Sequence, residues 1–198
     1  MKENQVAPSA EETKALDIGV VIPNVIVQDI QGKSVTLHQI VKDKAILIFY
    51  RGGWCPYCNT QLRDLAMIAP QLSEEGYTIV GITTDKVEEV EKTMLKYQTE
   101  YSIYSDSLMD AAKAFGIAFQ VDSKTVVKYR LVGIQLEKAS GQTHHLLPVP
   151  SVFITDSKRV IRYVYSNPNY KVRLKGTELL AQIHDQDVTP QEKHEPME

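Results

Sequence analysis

The residues of this chain best suited to chemistry are Cys55 and Cys58, its only two cysteines, three positions apart in Arg51-Gly52-Gly53-Trp54-Cys55-Pro56-Tyr57-Cys58. The apolar run Ala45 to Tyr50 ahead of them has the length and continuity of a strand buried on both faces. Two glycines then let the chain turn, and a helix is expected to start at or beside Cys55, with Pro56 in its first turn, where no backbone donor is lost. Two cysteines in a first helical turn can close a small disulfide ring, with the N-terminal sulfur, that of Cys55, pointing outward and that of Cys58 shielded. The unpaired N–H groups and dipole of the helix end favour thiolate over thiol. A thiolate beside a resolving thiol is what reversible thiol–disulfide exchange requires. Arg51 either adds positive potential there or is a solvated charge at the strand end.

The bland readings of the pair are weaker. A closed zinc site wants four ligands, and the only other candidates close together are His144 and His145, which read as part of a solvated loop just before Pro148-Val149-Pro150. Trp54 reads as a packing residue beside the pair. Lys128-Tyr129-Arg130 reads as an ordinary exposed helix face.

Composition narrows the function classes. With 43% apolar and 24% charged residues the chain has ordinary globular composition, and its 198 residues suffice for one domain with a real core. A net charge of −3 with no basic block argues against nucleic acid, whose phosphates demand a basic stripe. The polar first residues do not read as a signal peptide, and no apolar run approaches membrane-spanning length. The expected setting is the cytoplasm, where thiols are kept reduced and a lone cysteine pair serves redox chemistry rather than a structural disulfide.

Polar, proline-bearing residues 1–17 and 186–198 read as loose tails around one domain over 18–185. Within it, Val25 to Val27 and Ser34 to Leu37 flank Gly32 as a hairpin, and strand and helix signals then alternate to a closing helix over Glu178 to His184. Pro70 is expected to bend or interrupt the helix after Cys58. Segment 120–147 gives no clear reading. The pattern predicts an α/β sandwich around a mixed sheet.

The residues around the pair resemble the thioredoxin-fold superfamily, in particular its peroxiredoxin-like branch, the alkyl hydroperoxide reductase/thiol-specific antioxidant family. Trp54-Cys55-Pro56-Tyr57-Cys58 is similar to a thioredoxin active site. Ser105-Asp106 followed by Ala114-Phe115-Gly116, and Asn167 to Arg173, are similar to peroxiredoxin-like segments. Pro148-Val149-Pro150-Ser151 resembles the cis-proline loop of thioredoxins, with Pro150 in cis and free backbone groups at Val149 for a substrate chain. Two positions depart from peroxiredoxins, which carry a threonine where this chain has Cys55 and a peroxide-polarising arginine where it has Pro150.

The resemblance implies a mixed central sheet with helices on both faces and an N-terminal hairpin. It implies a Cys55–Cys58 dithiol–disulfide couple supported by Arg51, Trp54, Pro56, Tyr57, Val149 and Pro150, with no metal or organic cofactor. The substrate is a hydroperoxide or a disulfide, the reductant thioredoxin or glutathione, with a homodimer left open. In the peroxidase order Cys58 attacks peroxide and Cys55 resolves; in the disulfide-reductase order Cys55 attacks and Cys58 resolves. The alternative from another class is a non-enzymatic redox switch built on the same pair.

Overall fold

A computed structural model describes residues 6–99 and 101–187. The chain first makes the expected hairpin, β1 (Ile26–Gln28) and β2 (Ser34–Thr36), and turns where Asp29 Oδ1 accepts the N–H groups of Gln31 and Lys33 at 3.0 and 2.9 Å. A short α1 (Leu37–Ile40) follows, its N-terminus closed by the reciprocal Thr36–Gln39 capping box. The apolar run is β3 (Ala45–Tyr50), buried at every position. Then come α2 (Pro56–Glu74), β4 (Thr78–Thr83), α3 (Val87–Tyr97), β5 (Ser102–Ser105) and α4 (Asp110–Ala114). The second half holds β6 (Ala118–Gln120), α5 (Ser123–Leu131), α6 (Leu136–Ser140), β7 (Leu146–Pro148), β8 (Ser151–Thr155), β9 (Ile161–Ser166) and α7 (Gly176–Asp187).

Seven strands form one mixed sheet in the order β2-β1-β5-β4-β3-β8-β9, while β6 and β7 pair separately. β3, β4 and β5 run parallel, and β8 returns antiparallel beside β3. Successive side chains of a strand point to opposite faces, so β3 serves two cores. Ala45, Leu47 and Phe49 join Phe115, Phe153 and the α4 alanines on one face. Ile46, Ile48 and Tyr50 join Leu62, Leu65 and Leu72 of α2, Val90 of α3 and Leu179 and Ile183 of α7 on the other. Both cysteines lie in this second core.

Two expectations need correction, and one unread segment gains a structure. Residues 6–17 are not a loose tail. Ala7 bridges Phe119, the Lys14 N–H donates to Gly116 O at 3.0 Å, and the Leu16 N–H donates to Phe115 O at 3.1 Å. Backbone pairing and the apolar side chains of Val6, Ala10, Ala15 and Leu16, packed against the core, hold a segment that is otherwise polar. Pro70 does not interrupt α2, because burial of Leu65, Ala69 and Leu72 against the sheet outweighs the roughly 3 kcal/mol of a helical proline. Segment 120–147 contains α5 and α6, with Asp122 capping α5 through the Thr125 N–H. The proposed C-terminal tail begins inside the last turn of α7, and from 188 onward it lies outside the described residues. Among those residues no helix is long and apolar enough to cross a membrane.

Gly116 is where the N-terminal segment closes on the domain. It has φ +71°, and a Cβ there would lie 2.0 Å from Lys14 O. Gly116→Ala is expected to destabilise the fold by about 1–3 kcal/mol and to release residues 6–17, read as a lower Tm with faster proteolysis near Lys14.

Candidate active site

Parallel pairing of β3 with β4 brings their C-terminal ends side by side, Tyr50 opposite Thr83. Ligands in α/β sheets gather at such ends. The chain leaving β3 enters a tight turn in which Gly52 adopts φ +147° and a Cβ would fall 2.3 Å from Trp54 Nε1. The loop leaving β4 grips that turn. The Thr84 hydroxyl donates to Arg51 O at 2.9 Å, and Asp85 Oδ2 accepts the Gly53 N–H at 2.7 Å. Asn59 Nδ2 donates to Gly53 O at 2.9 Å from the first turn of α2. Cys55 is the N-cap of α2, Pro56 opens the helix, and Cys58 follows in its first turn.

Both cysteines are reduced and buried, Cys55 2% and Cys58 0% exposed. The Cys58 thiol and its backbone N–H both face the Cys55 sulfur, and together with Arg51 and Arg173 they outweigh burial and bring Cys55 down to about 6. Burial, with the bond it makes to Cys55, pushes the Cys58 thiol well above its ordinary value although Arg173 opposes this. The pair thus shares one proton, held on Cys58, with the negative charge on Cys55.

Two guanidinium groups attend that charge. Arg51 is 3% exposed. Its guanidinium carbon lies 4.3 Å from the centre of the Tyr170 ring, 5.2 Å from Trp54 and 5.4 Å from Tyr129, and it donates to the Tyr129 hydroxyl. Trp54 stacks obliquely on Tyr129 with ring centres 6.0 Å apart, and the half-exposed Tyr57 meets Tyr170 edge-on at 5.7 Å. Arg173 donates to Cys58 Sγ at 3.2 Å and to Gln61 Oε1 at 3.4 Å. Its loop is tied to α2 where the Gly176 N–H meets Asp64 Oδ2 at 2.5 Å. A cation therefore stands beside the sulfurs although the position ahead of β8 holds Pro150.

Tyr129, Tyr170, Arg173 and Asp85 were not singled out as site residues in the sequence. Tyr170 and Arg173 lie in the 167–173 segment noted for its resemblance, which says nothing of its fold onto α2. Tyr129 lies in what reads as an exposed helix face, yet its ring reaches Arg51.

The proline loop differs from expectation. No peptide bond among the described residues is cis, so Val149–Pro150 is trans, the form an X–Pro bond prefers without special context. Its backbone is also engaged. The Val149 N–H donates to Ile117 O at 2.8 Å, the Val149 carbonyl accepts the Ser151 hydroxyl at 2.9 Å, and Pro150 O accepts the Asn167 N–H at 3.4 Å. The Val149 side chain belongs to the Phe49–Phe153 core on the opposite face from the thiols. His144 Nε2 is bonded to Ser107 O at 2.8 Å and His145 Nε2 pairs with Glu137 at 2.6 Å, so both rings are held by loop and helix partners outside the site.

A mixed sheet carrying a dithiol on the N-terminal turn of α2 defines a thioredoxin-fold thiol oxidoreductase. The AhpC/TSA family model matches residues 18–164, and the chain belongs to this family. Thiol-disulfide oxidoreductase ResA of Bacillus cereus is 23% identical over 144 residues, covering 69% of this chain and 83% of the relative. Peroxiredoxin Bcp of Escherichia coli is 26% identical over 102 residues, covering 52% and 65%. The solved peroxidoxin BcpB of Mycobacterium tuberculosis superposes with a TM-score of 0.66 at 19% identity, covering 88% of this chain and 99% of that one. The protein is a thiol-dependent oxidoreductase of the peroxiredoxin-like branch.

The Cys55 thiolate is present above a pH of about 6 and is lost as pH falls through that value. Arg51→Met and Arg173→Met each remove a cation that favours it, so the midpoint of iodoacetamide alkylation is expected to move to higher pH. The rate at pH 6 should fall roughly three- to fivefold.

Proposed function

We propose that this protein reduces small hydroperoxides with Cys55 as the attacking thiolate and Cys58 as the resolving thiol. The observation that carries this is the arrangement of the two sulfurs: both donors of Cys58 face Cys55, while the pair is almost sealed from water. The near-complete enclosure of both sulfurs suits a small hydroperoxide as the oxidising substrate. The resemblance to peroxiredoxins implies attack by Cys58, and the burial that keeps the Cys58 thiol protonated favours the reverse order.

In the first step the Cys55 thiolate attacks one peroxide oxygen and the O–O bond breaks. Cys55 becomes a sulfenic acid, and the leaving alkoxide takes up a proton to give an alcohol. Arg51 and Arg173 provide positive potential for the charge that passes from sulfur to oxygen. The Cys58 thiol then attacks the Cys55 sulfur, the S–S bond forms, and the sulfenic oxygen leaves as water with the thiol proton. A thioredoxin-type dithiol or glutathione restores the pair by exchange, attacking Cys55 once the first turn of α2 has opened.

The test combines peroxide consumption, coupled to a thioredoxin system or to glutathione, with single-cysteine variants. Cys55→Ser is expected to lose turnover by about 10³-fold or more. Cys58→Ser should complete one oxidation and accumulate a dimedone-reactive sulfenic acid on Cys55 without turning over. A sulfenic acid on Cys58 in the Cys55→Ser variant, formed at the wild-type rate, would reverse the assignment.

A further inference from the structure

The Gly53-Trp54 turn ahead of Cys55 forms one wall of a cleft that the steps above leave unused. Its volume is about 350 Å³, in the range of small-ligand sites. Lys92, Lys96 and Tyr97 of α3 stand on the second wall, and Ile134 and Lys138, from the loop before α6 and from α6 itself, on the third. Backbone and packing hold the walls together. The Lys86 N–H ahead of α3 donates to Ala139 O of α6 at 2.9 Å. A Cβ at Gly53 would lie 2.1 Å from Thr93 Oγ1, so the glycine lets α3 close on the turn.

The polar groups of the cleft are not balanced among themselves. Lys92 is paired with Glu89 at 2.8 Å. Lys96 lies over the Tyr97 ring at 5.2 Å, and neither it nor Lys138 pairs with a carboxylate among the described residues. Both ammonium groups belong to exposed side chains. Asp85 lies at the foot of the cleft, 1% exposed, with Oδ2 taking the Gly53 N–H at 2.7 Å and Oδ1 left without a partner. The indole N–H of Trp54 is likewise buried without an aligned acceptor. Buried polar groups are nearly always bonded, so open ones at the foot of a cleft mark where a ligand's polar group completes them.

We propose that this cleft binds the reductant, a tripeptide-sized thiol carrying two carboxylates and an ammonium group. This rests on the reading that an external thiol reopens the Cys55–Cys58 disulfide. Lys96 and Lys138 take the two carboxylates at the mouth, and a nitrogen of the ligand donates to Asp85 Oδ1 at the foot. Trp54 directly precedes Cys55, with adjacent α-carbons about 3.8 Å apart. A thiol seated against that wall is therefore held close to the residue it attacks, which favours the exchange through proximity. The ligand thiolate attacks the Cys55 sulfur, the bond to Cys58 breaks, and Cys58 leaves with the electron pair and takes up a proton. A second ligand thiolate then attacks the ligand sulfur of the mixed disulfide, and Cys55 leaves as the thiolate. Two ligand thiols have become one ligand disulfide, and their two electrons have reduced the protein.

Trp54 is the only tryptophan of the chain, so its fluorescence reports on the cleft. S-methylglutathione carries the required charges and cannot reduce a disulfide. It should change that fluorescence saturably, and Lys96→Glu with Lys138→Glu should weaken its binding about tenfold or more, as the loss of two modest ionic contacts gives. Lys158→Glu, in the turn after β8 at the opposite end of the sheet, is the control for altered charge and should bind as the wild type does. Circular dichroism establishes that each variant is folded.

The second readout is reduction of the protein disulfide, formed with diamide and followed without peroxide. The rate with glutathione should saturate, and its ratio to the rate with dithiothreitol should fall about tenfold in the double variant. A rate that stays linear in glutathione, an unchanged ratio, or no fluorescence response overturns the proposal. A protein that consumes no hydroperoxide yet shows the lysine-dependent ratio would sink only the peroxidase reading.

Discussion

One buried negative charge organises this protein. A thiolate at Cys55, screened from water, exists only because donors and cations replace its hydration. The helix end, the Cys58 thiol and the guanidinium groups of Arg51 and Arg173 supply that replacement together. The same burial that makes the charge expensive makes each partner effective, since a low-dielectric setting strengthens every bond to it.

The scaffold can be understood as the means of converging those partners. Parallel pairing of β3 and β4 places two loop starts next to each other, so the turn before Cys55 is clamped by Thr84 and Asp85 from the neighbouring strand. The packing of α7 on the same face as α2 brings with it the preceding loop, which carries Arg173 onto Cys58. The return of the chain through α5 sets Tyr129 against Arg51 and Trp54, so a guanidinium lies buried among rings rather than beside a carboxylate. Aromatic faces hold a cation without neutralising it, which leaves its field available to the sulfur.

Much of this was legible along the chain, wherever the controlling physics is local. The buried run of β3, the hairpin around Gly32 and the dithiol at a helix start each follow from neighbours a few residues apart. The failures share a cause. Residues 6–17 read as loose because their few apolar side chains, Val6, Ala10, Ala15 and Leu16, are scattered among polar ones, and backbone groups make the remaining attachment. Pro70 reads as disruptive because local propensity carries no information about the packing of Leu65, Ala69 and Leu72 that overrides it. Pro150 looked cis from a motif, but its conformation depends on where Ile117 and Asn167 arrive.

By itself the sequence determined that two thiols would share one helical turn after a buried strand, and hence that this is a redox protein with a closable disulfide. Only the tertiary structure decided which groups surround the two sulfurs. Asp85, Tyr129 and Arg173 lie 32, 78 and 115 residues along the chain from the groups they meet. Electrostatic interaction depends on distance through space and on burial, and a linear order of residues encodes neither until the sheet has formed.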